Sequence, residues 1–254
     1  MSCYDPNKEP GSLVRMTDGP FKIPINYAES SQILKNALQL TGSPVAVRFA
    51  ATKEDIPPGI EEIDKLQRHC SMVNLARREG KIFYATASKH ECNGGAWALG
   101  LREITPTLKS GDFYYKLGKF NSAAACKRTI DLIPHLGLNE TYATLYAPLE
   151  KTPFTPHVVI IIGSPWAMLK LAQSSLFRLG GRITGSCAGI QSICSDAAAL
   201  PYLSGQPNFS LGCDGSRKYS GIADNEIVIG IPGEMIPEFT QSIGMIVGAA
   251  GSKK

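Results

Sequence analysis

Val158-Val-Ile-Ile-Ile162 is the stretch that most restricts how this chain folds. All five residues are β-branched and apolar, so they favour a strand and leave it no wet side. Such a strand has to be covered on both faces. The residues that follow, Gly163-Ser164-Pro165-Trp166, open a helix. Ser164 offers an N-cap hydroxyl, and Pro165 brings the fixed φ that suits a first helical residue. Gly180-Gly181 supplies the stop. A doubly covered strand running into a capped helix demands layers.

The rest of the chain supplies them. Helical patterns run over Ser30–Leu40, Leu66–Arg78, Gly94–Leu101 and Asn121–Leu132, near Ile190–Leu200 and near Met235–Ile243. Strand patterns run over Pro44–Phe49, Lys81–Ala87, Tyr142–Tyr146 and Glu226–Ile231. The alternation predicts an α/β or α+β fold, a mixed sheet flanked by helices in a single compact domain. Residues 1–28, with four prolines and little periodicity, read as an N-terminal arm, and residues 29–254 as the domain. If the domain has two halves, the proline-rich segment 148–156 is the best boundary.

The chain has 254 residues, enough to bury roughly three quarters of its unfolded surface, so it needs no staple merely to fold. A net charge of +4 is too small to point to nucleic acid. No apolar run approaches a membrane span, and the first residues lack the apolar core of a signal peptide. The expectation is a cytoplasmic protein with no membrane and no nucleic-acid partner, in which thiols stay reduced. A homo-oligomer is compatible with all of this.

In that setting seven cysteines, an odd number, cannot form a complete disulfide framework. None forms a C-x-x-C pair, which weakens zinc-ribbon, ferredoxin and thioredoxin readings. Cys92 in His-Glu-Cys-Asn-Gly-Gly, Cys187 in Gly-Ser-Cys-Ala-Gly and Cys213 in Gly-Cys-Asp-Gly-Ser stand in glycine-rich turns. Glycines such as Gly94 and Gly95 let backbone approach a ligand and free N–H groups for negative sulfur. Cys194 begins a short helix, whose dipole favours a thiolate. Cys70 shares a helical face with Leu66 and Val73, so core packing competes with function there. Cys126, among alanines, reads as core, and Cys3 as incidental.

Arg217 and Lys218, in Gly212-Cys-Asp-Gly-Ser-Arg-Lys-Tyr-Ser-Gly221, would suit a carboxylate or phosphate, or the charge of a cofactor. An exposed basic turn is the plainer alternative. The aromatic-basic segment Gly111–Phe120 either lines a pocket with Tyr114, Tyr115 and Lys116 or forms a hairpin. His69 and His90 each neighbour a cysteine, which permits a mixed Cys/His site. There is no zincin motif, nucleophile elbow or P-loop.

Several longer strings resemble one family. They include Ser43-Pro-Val-Ala-Val-Arg-Phe49, Cys92-Asn-Gly-Gly-Ala-Trp-Ala-Leu-Gly100, Tyr146-Ala-Pro-Leu-Glu150, Gln191-Ser-Ile-Cys-Ser-Asp196 and Gly212-Cys-Asp-Gly-Ser-Arg-Lys-Tyr219. Over about Gln32 to the C-terminus the chain is similar to domain-of-unknown-function family 169, an uncharacterised family of archaea and anaerobic bacteria. The resemblance singles out Cys70, Cys92, Cys194 and Cys213 as motif-borne. Four is the number of thiolates that a [4Fe–4S] cluster takes, and anaerobic hosts suit an oxygen-sensitive cofactor. The leading expectation is a cluster on those four cysteines, with Cys187 as a substitute and Gly94, Gly95, Arg217 and Lys218 around it. It would serve redox or cluster-assisted small-molecule chemistry, with substrate and redox partner open and zinc or no metal as alternatives. A metal-free thiolate enzyme, using Cys92 or Cys213 with Asp196 or Asp214, and a small-molecule binding or regulatory module are its rivals.

Overall fold

The computed structural model describes residues 26–249. Most of the expected arm (residues 1–25), together with Cys3, lies outside the described residues. Six strands form one sheet: β1 (Val45–Ala50), β2 (Phe83–Thr86), β3 (Ala143–Pro148), β4 (Val158–Gly163), β5 (Asn208–Ser210) and β6 (Ile227–Pro232). Their order is β2-β3-β1-β4-β6-β5, and every pairing between them is antiparallel. Parallel pairing is confined to two isolated bridges, Glu62 with Tyr84 and Gln67 with His90. The fold is therefore α+β. Segment 148–156 joins β3 to β4, both of which pair with β1, so it crosses within one sheet.

Helices alternate with the strands along the chain. They are α1 (Tyr27–Leu38), α2 (His69–Glu79), α3 (Asn93–Ala98), α4 (Pro106–Lys109), α5 (Asp112–Lys116), α6 (Ala123–Ile130) and α7 (Pro165–Leu176). A π-helix (Ser192–Ala199) runs directly into α8 (Leu200–Ser204), and α9 (Asp214–Ser220) and α10 (Ile236–Ala249) complete the set. The expected start of α7 is present: Ser164 Oγ accepts the Ala167 N–H at 3.2 Å with Pro165 at the first helical position. At α6 the cap is Ser122 Oγ, which accepts the Ala125 N–H.

The period of two sorts the strands into two cores. Val45, Val47, Tyr146, Val158, Ile160 and Val228 point to one face. Ala46, Leu145, Ala147, Val159, Ile161 and Ile229 point to the other. The doubly covered β4 is what its apolar run requires. On the second face α1, α7 and α10 close an apolar core through Leu34, Leu38, Met168, Leu171 and Phe239. On the first face lie α2, α3 and the π-helix.

The π-helix sits directly on β6. A Cβ at Gly230 would stand 2.0 Å from the Ala197 carbonyl oxygen, so only glycine admits this approach. A third, smaller cluster of Trp97, Leu108, Cys126, Ile130, Ile133 and Ile190 holds α4–α6 beside the first face. Gly111–Phe120 is thus part of a helical insert, with α5 at its centre, and not a hairpin. Cys126 is fully buried core, as its alanine context suggests.

Candidate functional site: four thiols at helix starts

The four motif cysteines come from four helices of the first face. Cys70 is the second residue of α2, and Cys92 is the N-cap of α3. Cys194 is in the first turn of the π-helix, and Cys213 is the N-cap of α9. The first turn of a helix presents unpaired N–H groups and the positive end of its dipole. At Cys92 the consequence is direct: Sγ takes the capping role that an oxygen usually has and accepts the Gly95 N–H at 3.4 Å. At Cys213 the capping partner is Ser216, whose hydroxyl accepts the Cys213 N–H at 2.9 Å and donates to its carbonyl at 2.7 Å.

The helices bring the thiols into one neighbourhood. A single point, the position a Cβ would take on Gly95, lies 3.7 Å from Cys92 Sγ and 3.8 Å from Cys194 Sγ. The two sulfurs are therefore less than twice that distance apart. Burial, followed by the charges of Cys92, Cys213 and Cys70, holds the Cys194 thiol well above its ordinary pKa. Burial, followed by Cys213 and Cys92, pushes Cys70 up to about 12.

Tetrahedral zinc with Zn–S bonds of about 2.3 Å holds its sulfurs about 4 Å apart. Among the described residues no group of three or more His, Cys, Asp or Glu stands close enough to hold one metal ion. The six described cysteines are all free.

Gly95 lies among the sulfurs. Gly94 serves another neighbour: a Cβ there would fall 2.0 Å from Gln191 Nε2. Gln191 is buried, donates to Tyr114 Oη at 2.7 Å, and accepts from Cys194 Sγ at 3.5 Å. It holds a left-handed backbone (φ 53°) at the start of the π-helix. A non-glycine residue in that region is strained, and π-turns concentrate at functional sites.

The donors of Arg217 are engaged on the backbone carbonyls of Leu211, Ala223 and Glu226, where they fasten the Cys213 turn. Lys218 is exposed, with Nζ 5.2 Å from the Tyr219 ring. The cation beside the thiols is one that the sequence reading passed over. Arg68 Nη1 and Cys213 Sγ both lie within 3.7 Å of the point where a Gly215 Cβ would stand. Arg68 pairs with Glu91 at 3.3 Å and stacks 4.1 Å over the Tyr219 ring. Its place directly before His69-Cys70 was the available signal. Cys187 lies on an exposed loop.

Behind the thiols the face is polar and buried. His69 Nδ1 lies 2.7 Å from Tyr146 Oη, and His90 Nε2 lies 3.0 Å from Thr144 Oγ1. Burial drives both histidines down to about 3, so both are neutral. Neither is grouped with three metal-competent side chains. Asp196 is pushed by burial up to about 8 and accepts from Ser210 at 3.2 Å. A separate cleft of about 360 Å³ opens beside Lys35, Arg77 and Arg78 and contains none of the cysteines.

A relative from Methanocaldococcus jannaschii, named Uncharacterized protein MJ0308, is 44% identical over 216 residues, covering 85% of this chain and 92% of its own. No solved structure matches. Among the described residues no helix is long and apolar enough to cross a membrane. The model of domain-of-unknown-function family 169, described as Uncharacterised ArCR, matches residues 33–242, and the chain belongs to that family.

Proposed function

We propose that the chain holds one iron–sulfur cluster, [4Fe–4S] in type, on Cys70, Cys92, Cys194 and Cys213, and uses it for redox or cluster-assisted small-molecule chemistry. The observation that carries the reading is that Cys92 and Cys194, 102 positions apart in sequence, both place Sγ within 3.8 Å of one point beside Gly95, while Cys70 and Cys213 begin two further helices, α2 and α9, that pack together. Thiolate sulfur is the donor that such clusters take, and the Gly95 N–H and Arg68 are the kind of neighbours that stabilise its charge. Cys70 and Cys194 are held protonated by burial, so they become ligands only by releasing protons to an incoming metal.

Purification without oxygen, with iron and sulfide supplied, tests this. The expected product is brown, with broad absorption near about 400 nm and about four irons per chain. Serine at any of the four cysteines should lower the iron content, and serine at Cys187 or Cys126 should not. A colourless, iron-free protein after reconstitution overturns the reading.

The metal-free thiolate enzyme is the second reading, and the half-buried Cys92 with its Gly95 N–H donor favours it. Burial disqualifies Cys70 and Cys194 as nucleophiles, which leaves Cys92 and Cys213. Here one alkylated cysteine should abolish activity in a protein that never binds iron.

A further inference from the structure

The insert that carries α4–α6 is unusually basic. Residues 101–130 hold six basic side chains (Arg102, Lys109, Lys116, Lys119, Lys127, Arg128) against Glu103 and Asp112. That excess equals the +4 of the whole chain. The insert stands against the thiols at two points. Tyr114 takes the hydrogen bond from Gln191, and Lys119 pairs with Asp214, the residue after Cys213.

Its outer surface is also apolar. Phe113, Tyr115 and Leu117 are 48%, 45% and 57% exposed, and across the Lys119–Asp214 pair Leu211 and Tyr219 are 55% and 53% exposed. Scattered exposed apolar residues are ordinary. Here they stand on two segments that the Lys119–Asp214 pair joins beside half-buried Cys213, and Lys109, Lys116 and Lys218 are exposed on the same segments. An apolar centre with a charged rim is the anatomy of a transient interface.

We infer that this face docks a small electron-carrier protein whose own surface is acidic around an apolar centre. The inference rests on the cluster reading and adds the class of partner. The basic rim selects an acidic surface, and the apolar centre excludes water over the thiols nearest solvent. Opposed charges of this kind raise association rates by about 10- to 1,000-fold, an advantage that salt removes. One electron passes between carrier and cluster, no bond forms or breaks, and the carrier's change of redox state balances that of the cluster.

The test uses the full chain, reconstituted without oxygen, and a reduced acidic plant-type [2Fe–2S] ferredoxin as the probe. Stopped-flow bleaching reads electron transfer, and calorimetry reads binding. In Lys109→Glu/Lys116→Glu the transfer rate should fall about tenfold or more, and raising salt from about 0.05 to 0.5 M should do the same to the parent. Leu117→Ser should weaken binding about tenfold. Reduction by dithionite should be equal in all three, which shows that the cluster itself is intact.

A brown protein whose reduction by ferredoxin ignores both salt and charge reversal overturns the docking face alone. So does a parent dimer that the double reversal converts to monomer, because a second copy then owns the surface. A protein that stays colourless removes the cluster reading, and this inference falls with it.

Discussion

The two faces of the sheet use the same strands and differ in what covers them. Against α1, α7 and α10 the interior is closed by Leu, Ile, Met and Phe, and its buried polar contacts are few, Ser174 with Ser242 between α7 and α10 and Ser31 and Ser43 on Glu150 beside α1. Against α2, α3 and the π-helix it holds His69, His90, Thr144, Tyr146, Asp196 and four thiols. An apolar face needs only volume and period, which many sequences satisfy. A polar face has to satisfy each buried group in place, and His69 Nε2 is left without a partner. The face against α1, α7 and α10 is thus held by apolar packing alone over most of its area, while the other combines an apolar core with buried polar groups.

The sharpest way to break the contrast is a deep truncation on the closed face. Phe239→Ala should lower stability by about 3–5 kcal/mol, read by denaturant unfolding, while leaving iron content per folded chain unchanged. Gly230→Ala works across the other face. Its new methyl meets backbone and not a flexible side-chain end, so the cost should be about 1–3 kcal/mol or more. Because the displaced Ala197 shares a helix with Cys194, iron loading should fall as well.

Gly94→Ala should cost less, about 1 kcal/mol, since the Gln191 amide can move at the expense of its bond to Tyr114. A fall in iron content larger than that loss of stability would show that Gln191 positions Cys194.

The smallest effect concerns acid. Burial raises the Glu226 carboxyl, but the Arg77 guanidinium and the Ala223 N–H outweigh it and hold its pKa below the ordinary 4.5. A depressed carboxylate adds stability above that value and loses it as pH falls through the lower, folded value. Stability should therefore decline below about pH 4.5, and Glu226→Gln should make that decline shallower.

Much of the framework was legible. The run Val158–Ile162 and the Ser164-Pro165 start both report burial and backbone chemistry, which act locally. β5 and α9 were not legible. β5 is three residues long, and α9 reads Asp-Gly-Ser-Arg-Lys-Tyr-Ser, with no apolar stripe. Both are held by tertiary packing, which overrides weak propensity. The insert was half legible: the helical pattern over Asn121–Leu132 corresponds to α6, while α4 and α5 are too short to show a period.

At the site, glycine contexts and family motifs marked the sulfurs, because their chemistry is written beside them. The roles of Gln191, Tyr114 and Arg68 depend on distances that no spacing along the chain encodes. Arg217 had the right chemistry for an anion but is turned to nearby carbonyls, a choice made by the loop around it.

The place of β6 has a consequence for synthesis. It is the last strand in sequence, yet it lies inside the sheet between β4 and β5. As the chain leaves the ribosome, β1, β3 and β4 can pair early, while one edge of β4 stays open until Pro232 has emerged. The most apolar strand of the molecule thus waits with an unpaired edge for a distant partner, a period in which other chains compete for it. Vectorial folding leaves Cys213 among the last residues made before that closure, so any cofactor that needs it enters a nearly finished protein.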